Sequence, residues 1–352
     1  MIAMISNAID RFLGRGDAAV TVPPLDGAFR PNRRLDDAGD RVALADVDAL
    51  AVVEGVVHAS SGTQVMRQDG AQGWQVQRDW GVPVTALATF ADGLAVALAD
   101  GRIAVTGGAH DGWQIETSLR CITALCAQDG TLLVTNGAEG LTPDDWQLDL
   151  MQRGASGSLW QIDPATNKTI RLVAGLAWPA GVAVDAQGPV IAEAWRHRLI
   201  RLDGTVLFSD MPGYPGRISA SADGYWLAMF APRSQLVEFV LREPAYRRRM
   251  IAEVPREFWV APRLRTGRSF YESLQGGGVK QLGMLKPWAP TMSAGFCVRL
   301  DAGFQPRASL QSRADGTTHG VTAVVEHDRQ LVIAARGDDV VVTLPWRVED
   351  DR

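Results

Sequence analysis

A six-fold repeat constrains this chain more than any other feature of its sequence. Six segments share one pattern: an apolar strand, a tight turn and a second apolar strand. They begin at Val47-Asp48-Ala49-Leu50, Val84-Thr85-Ala86-Leu87, Ile122-Thr123-Ala124-Leu125, Pro179-Ala180-Gly181-Val182, Gly216-Arg217-Ile218-Ser219 and Val321-Thr322-Ala323-Val324. Turns follow at matching offsets, as at Asp92-Gly93, Asp129-Gly130 and Asp223-Gly224. Asp-Gly between apolar runs signals a hairpin, because glycine accepts the positive φ of a tight turn. The second residues stand at 48, 85, 123, 180, 217 and 322, hence at spacings of 37, 38, 57, 37 and 105. Three spacings match the roughly 40 residues of a four-stranded propeller blade, and the other two read as a blade plus an insertion. A β-sandwich with chance turns would not repeat in phase, whereas radial repetition protects sheet edges. The expected fold is therefore all-β, a six-bladed β-propeller formed by residues 1–352 as one domain. Only 30 residues follow Thr322 in the 352-residue chain, too few for a full blade and closure. An N-terminal strand, expected at Ala18–Val22, must complete the last blade.

Composition agrees with a sizeable core: 46% of residues are hydrophobic and 21% charged. The formal net charge of -5 lacks the basic signature of nucleic-acid binders. No apolar run reaches the roughly 18 residues of a membrane helix. Ile2, Ile5, Ile9, Phe12 and Leu13 follow helical spacing, so residues 1–17 read as a short amphipathic helix packed on the body. Asn7, Asp10 and Arg11 interrupt any secretory apolar stretch. Cys121, Cys126 and Cys297 form an odd set without motif spacing, which argues against a disulfide framework or a zinc site. A cytoplasmic protein is the default expectation.

In each blade the innermost strand starts at one face of the disc, the top, and the second strand returns to it. Top-face side chains then include Asp48, Thr85, Thr123, Ala180, Arg217 and Thr322, with Ser60, Asn136, Glu193, Phe230 and Arg336 at the returning ends. Both insertions, 137–156 and 231–293, fall between second and third strands and so project over the same mouth. Thr142-Pro143-Asp144-Asp145 is a helix start: an N-cap hydroxyl, proline in the first turn, and carboxylates at the positive dipole end. Residues 242–268 carry eight arginines against three glutamates, a local excess of five positive charges, with Tyr246, Phe258, Trp259, Phe270 and Tyr271 within or just beyond. This stretch reads as a lid that attracts an anionic ligand, or as a solvated, salt-bridged flap. A peripheral membrane contact is a third reading.

Leu176 to Arg201, then Met211 to Arg217 and Asp223 to Ala228, resemble the signature region of strictosidine synthase-like proteins, and His319 to Asp328 is similar to that family's last blade. The likeness runs from about Cys121 to Leu344. It implies a six-bladed propeller related to gluconolactonase and paraoxonase propellers, with members that include a plant Pictet–Spengler enzyme and proteins described as esterases or lactonases. The departures are specific. The synthase's glutamate at the start of the last inner strand corresponds to Thr322 here, and threonine cannot act as a general base near neutrality. Related hydrolases hold a divalent cation near the channel axis. The family's Pro-Asn-Gly and Pro-Asp-Asn stand here as Pro179-Ala180-Gly181 and Pro215-Gly216-Arg217. Calcium takes ~6–8 oxygen ligands, and Asp48 and Asn136 beside Arg217 are a poor set. The expectation is no cofactor, with calcium disfavoured.

The candidate catalytic residues are Asp48, Glu193 and His319. Asp48 near Arg217 would stay ionised, which suits a binding pair, or a turn cap, better than a base. Glu193 precedes Arg196 and Arg198, so a structural salt bridge competes with catalysis. His319 reaches the mouth or is a satisfied loop residue. The expected ligand shell is Asp48, Thr85, Thr123, Asn136, Arg217, Phe230, Thr322 and Arg336 around a small anionic molecule. Three functions fit: an enzyme, with ester or lactone hydrolysis the family-level default; a non-catalytic metabolite binder whose metal site has decayed; and a scaffold docking through 242–268.

Overall fold

The computed structural model describes residues 22–70, 73–268, 280–281, 284–285 and 291–346. Within them, six antiparallel four-stranded sheets form a ring. Blade 1 comprises Val47–Val53, Val56–Ser61, Gln64–Asp69 and Gly73–Asp79; blade 2 comprises Val84–Phe90, Gly93–Leu98, Arg102–Thr106 and Gln114–Glu116. Blade 3 is Ile122–Gln128, Thr131–Asn136, Gly157–Asp163 and Lys168–Leu176; blade 4 is Pro179–Asp185, Gly188–Glu193, Arg198–Arg201 and Val206–Phe208. Blade 5 is Gly213–Ser221, Gly224–Pro232, Gly295–Asp301 and Pro306–Ser312. Blade 6 takes Val321–His327, Gln330–Ala335 and Val340–Pro345, and its outer strand comes from the other end of the chain, Asp40–Ala43. Each inner strand packs on the next, and blade 6 meets blade 1.

The closing strand is therefore Asp40–Ala43, paired antiparallel with Val340–Thr343, not the expected Ala18–Val22. Every other passage from an outer strand to the next inner strand is short, as from Leu176 to Pro179, and only a strand ending at Ala43 can enter blade 1 at Val47 in the same way. Val22 lies outside any strand; residues 18–21, and the expected helix at 1–17, lie outside the described residues.

Strands in the middle of a blade are covered on both faces by neighbouring blades, so they read as continuous apolar runs. Gly93–Leu98 is buried at every position. At the channel the ladder is interrupted in a regular way. All six inner strands carry one extra residue against their partner, between Val47 and Leu50, Val84 and Ala86, Ile122 and Ala124, Pro179 and Gly181, Pro215 and Ile218, and Val321 and Ala323. These are β-bulges, which leave a residue out of the ladder and re-aim its groups. The bulged positions are the strand starts picked out by the repeat. Here the inner strands of blades 4 and 5 also approach closely. A Cβ built on Gly181 would lie 2.1 Å from the Gly216 carbonyl oxygen, so only glycine fits there.

Both insertions leave between the second and third strands of their blades, 137–156 in blade 3 and 233–294 in blade 5. The second begins two residues later than expected because its strand continues to Pro232. The first insertion holds α1 (Trp146–Gln152), entered by a turn in which the Asp145 carboxylate accepts from the Thr142 amide and hydroxyl. The second holds α2 (Gln235–Arg242), capped by the Ser234 hydroxyl, and α3 (Pro244–Glu253). Leu150, Met151, Val237, Val240, Leu241 and Met250 bury the faces where these helices meet. No helix among the described residues is long and apolar enough to cross a membrane.

Candidate functional site

A bulged strand start frees a carbonyl that the ladder no longer uses, and a buried carbonyl needs a donor. Arg217, on blade 5, supplies it across the channel. Its Nη1 donates to the carbonyls of Asp48 (3.1 Å) and Thr322 (3.2 Å), and its Nη2 to the Thr85 carbonyl (2.8 Å) and to Asp48 Oδ2 (2.7 Å). One guanidinium thus ties blade 5 to blades 6, 1 and 2. Around it, Thr322 Oγ1 donates to the Asp48 carbonyl at 2.7 Å, and Thr123 Oγ1 to the Pro179 carbonyl at 2.5 Å. The hydroxyls of Thr123 and Thr322 thus serve backbone at the strand starts, whereas the buried Thr85 hydroxyl meets no partner among the described residues.

Burial alone would push the Asp48 carboxyl up. The charges of Arg217 and Arg336, with hydrogen bonds from Arg217 and Thr322, outweigh it and hold the group below the usual carboxylate range. Arg336 stands farther off, its Nη1 3.7 Å from Asp48 Oδ1, and its Nη2 meets Asp144 Oδ1 at 2.9 Å.

Above this floor opens a shallow cavity, about 510 Å³ with the open solvent at its mouth included. Asp48, Thr123, Arg217, Thr322, Phe230 and Arg336 of the expected shell line it. Its wall also takes Ala180 and Gly216 from the strand starts of the repeat, and adds residues that the repeat did not single out: Trp178 from the ring, and Pro143, Trp146 and Leu264 from the insertions. Trp178 sits with φ +54°, uncommon for a bulky residue and of order 1–3 kcal/mol in strain. The Ala194 amide donates to its carbonyl at 3.0 Å, and its ring stacks on Trp195 with centroids 5.3 Å apart. Trp146 meets Phe230 edge-on at 5.5 Å. Behind the wall Asp149 accepts from Trp195 Nε1 at 2.7 Å, and burial pushes its carboxyl up against that bond.

Other expected site residues lie elsewhere. Asn136 is buried with both ends of its amide used, Oδ1 accepting from the Cys121 amide and Nδ2 donating to the Ala138 carbonyl. It closes the blade 3 turn and offers no ligand. Thr85 offers its carbonyl to Arg217 but does not line the cavity. Glu193 is fully buried and accepts from the Ala177 amide, Arg196 and Arg198, the structural salt bridge of the sequence reading. His319 is fully buried too, held by Ser293, Arg265 and the Arg313 carbonyl. Burial, then the Arg265 charge, lowers its pKa. Burial pushes the thiols of Cys121 and Cys126 up to about 12 and about 11, and that of Cys297 upward, far from a reactive thiolate.

The basic stretch is largely spent on anchoring. Arg256 pairs with Asp145 at 2.9 Å and Arg265 with Asp338 at 3.0 Å; Arg249 pairs with Glu253 along α3, and Arg247 donates to the Met151 carbonyl. The salt-bridged flap describes it better than a free anion-attracting field. Phe270 and Tyr271 lie outside the described residues. Among the described residues no group of three or more His, Cys, Asp or Glu stands ready to hold a metal ion.

No family model matches the sequence, and no curated protein does. Solved structures do match by shape. A Xanthomonas campestris protein described as a gluconolactonase important in glucose secondary metabolic pathways aligns with a TM-score of 0.53 at 14% identity, over 93% of this chain and 99% of its own. A second structure, provisionally named a gluconolactonase, aligns at 0.50 and 11% identity over 89% and 95%. At such identities the likeness carries the fold, and it agrees with the ring of blades: this chain is a six-bladed propeller with gluconolactonase-like structural neighbours.

Proposed function

We propose that this chain is a strictosidine synthase-like propeller that binds a small anionic organic molecule in its mouth cavity, with Arg217 standing on the axis where related propellers hold a metal. The observation that carries the reading is the pairing of an apolar aromatic wall with one cation, Arg336, whose side chain is 30% exposed at the cavity. Largely apolar pockets with a few placed polar groups are the usual form of small-molecule sites. The donor set suits calcium poorly: Ala180 and Gly216 bring no side-chain oxygen, Asn136 is committed, and a guanidinium already takes the inward carbonyls. Asp48, held ionised by two arginines, suits orientation better than proton abstraction near neutral pH.

Ester or lactone hydrolysis is the second reading, favoured by the gluconolactonase names of two structural neighbours. Fold alone does not carry an activity. One experiment separates the two: elemental analysis of the purified protein, with a panel of lactones and aryl esters assayed with and without added calcium. The binding reading expects no stoichiometric metal and no turnover above background. One calcium per chain with calcium-dependent lactone hydrolysis would overturn it.

A further inference from the structure

Of the carboxylates in the first insertion, Glu139 faces Arg171 of its own blade and Asp149 accepts from Trp195, whereas Asp144 reaches across the mouth. Its neighbour Asp145 holds the Thr142 turn and pairs with Arg256, and Gln147 Nε2 donates to the Pro262 carbonyl. Among the described residues, the Asp144 carboxylate, 77% exposed, meets Arg336 Nη2 alone. That contact joins opposite sides of the ring, since Asp144 projects from blade 3 and Arg336 from blade 6. It therefore closes over the mouth, flanked by Pro143 and Trp146 of the cavity wall. Arg336 has no equally firm partner below, because Asp48 gives its short contact of 2.7 Å to Arg217 and stands 3.7 Å from Arg336.

Building on the small-molecule reading above, we infer that Arg336 is a carboxylate subsite that Asp144 fills in the free protein, and that the ligand is an aromatic carboxylate which displaces Asp144. Three observations converge on that class. Planar guanidinium and carboxylate match each other in paired hydrogen bonds. Trp146, Trp178 and Phe230 offer faces and edges for a flat ring to pack on. The exchange is also cheap, because an exposed ion pair contributes ~0–1 kcal/mol, while the incoming carboxylate lies deeper, against the apolar wall.

The test is titration calorimetry of the full chain with 2-naphthoate and its neutral carboxamide, using wild type, Asp144→Asn and Arg336→Met. A melting curve for each variant confirms that it is folded. Wild type should bind 2-naphthoate at least tenfold tighter than the carboxamide. Asp144→Asn should tighten 2-naphthoate three- to tenfold and leave the carboxamide within twofold. Arg336→Met should erase the preference between the two. A folded Asp144→Asn protein with unchanged 2-naphthoate affinity would overturn the displacement. Equal binding of acid and amide by wild type would overturn the carboxylate class while sparing the pocket. If neither probe binds, and a set of neutral and anionic aromatic fragments shows no cavity binding by ligand-observed NMR, the small-molecule reading itself falls with the inference.

Discussion

Replacing Arg217 with methionine keeps the length and apolar stem of the side chain but removes the donors that hold the axis together. Three acceptors lose their partner, the carbonyls of Thr85 and Thr322 and Asp48 Oδ2, while the Asp48 carbonyl keeps the Thr322 hydroxyl. A buried acceptor left unsatisfied costs ~1–3 kcal/mol, and a charge stripped of its buried partner ~3–5 kcal/mol. The Arg217 side chain is 17% exposed, and the cavity opens beside it, so water can reach part of the set and the low end of each range applies. A loss of about 3–5 kcal/mol follows, which for a domain of this size is on the order of 6–10 °C in Tm. Arg217→Lys should fall between, since an ammonium carries three donors without the planar fork. Thermal unfolding followed by far-UV circular dichroism, with exposed Arg248→Met as the control, reads the effect directly. A Tm for Arg217→Met within 2 °C of wild type would refute the view that this guanidinium organises the bulged carbonyls.

Two further outcomes follow from the same geometry. Asp48 has a folded pKa below its unfolded value, so its contribution to stability is present above the unfolded pKa and fades as pH falls through the folded one. Asp48→Asn should therefore lower stability at pH 7 and flatten the loss between about pH 4 and the folded pKa, as read from Tm against pH; parallel wild-type and variant profiles would contradict the pairing. Gly181→Ala should destabilise by roughly 1–3 kcal/mol, the scale of overpacking, because its Cβ would meet the Gly216 carbonyl oxygen at 2.1 Å. Gly188→Ala, whose Cβ meets nothing within 4 Å but whose φ is +113°, separates backbone strain from this steric contact.

Blade number, the order of strands and the slot of both insertions were legible in the chain alone, because each blade repeats one hairpin and the spacing counts them. The strand starts were legible too, and Asp48, Thr123, Arg217 and Thr322 do face the mouth. Their roles were not. The bulge that turns each carbonyl inward is a matter of pairing register between strands, and a single strand's sequence does not contain it. Asn136 and Glu193 follow the same pattern as Phe230 and Arg336, yet one pair is consumed by local backbone and neighbouring arginines while the other reaches the cavity. Trp178 lies one residue before the strand start at Pro179, so extending the repeat by a single position would have found it; Trp146 had no such marker.

What the sequence determined by itself is the ring: apolar strands at a fixed period, turns in phase, and a net composition that can bury them. What only the tertiary structure decided is which charges remain available once the ring closes. Charges choose partners by distance, and the partners of Arg217, Arg256, Arg265 and Arg336 lie 169, 111, 73 and 192 residues away along the chain, at Asp48, Asp145, Asp338 and Asp144. Packing brings them to within 2.7–3.0 Å, leaving Arg336 as the cation at the mouth whose partner is exposed enough to exchange.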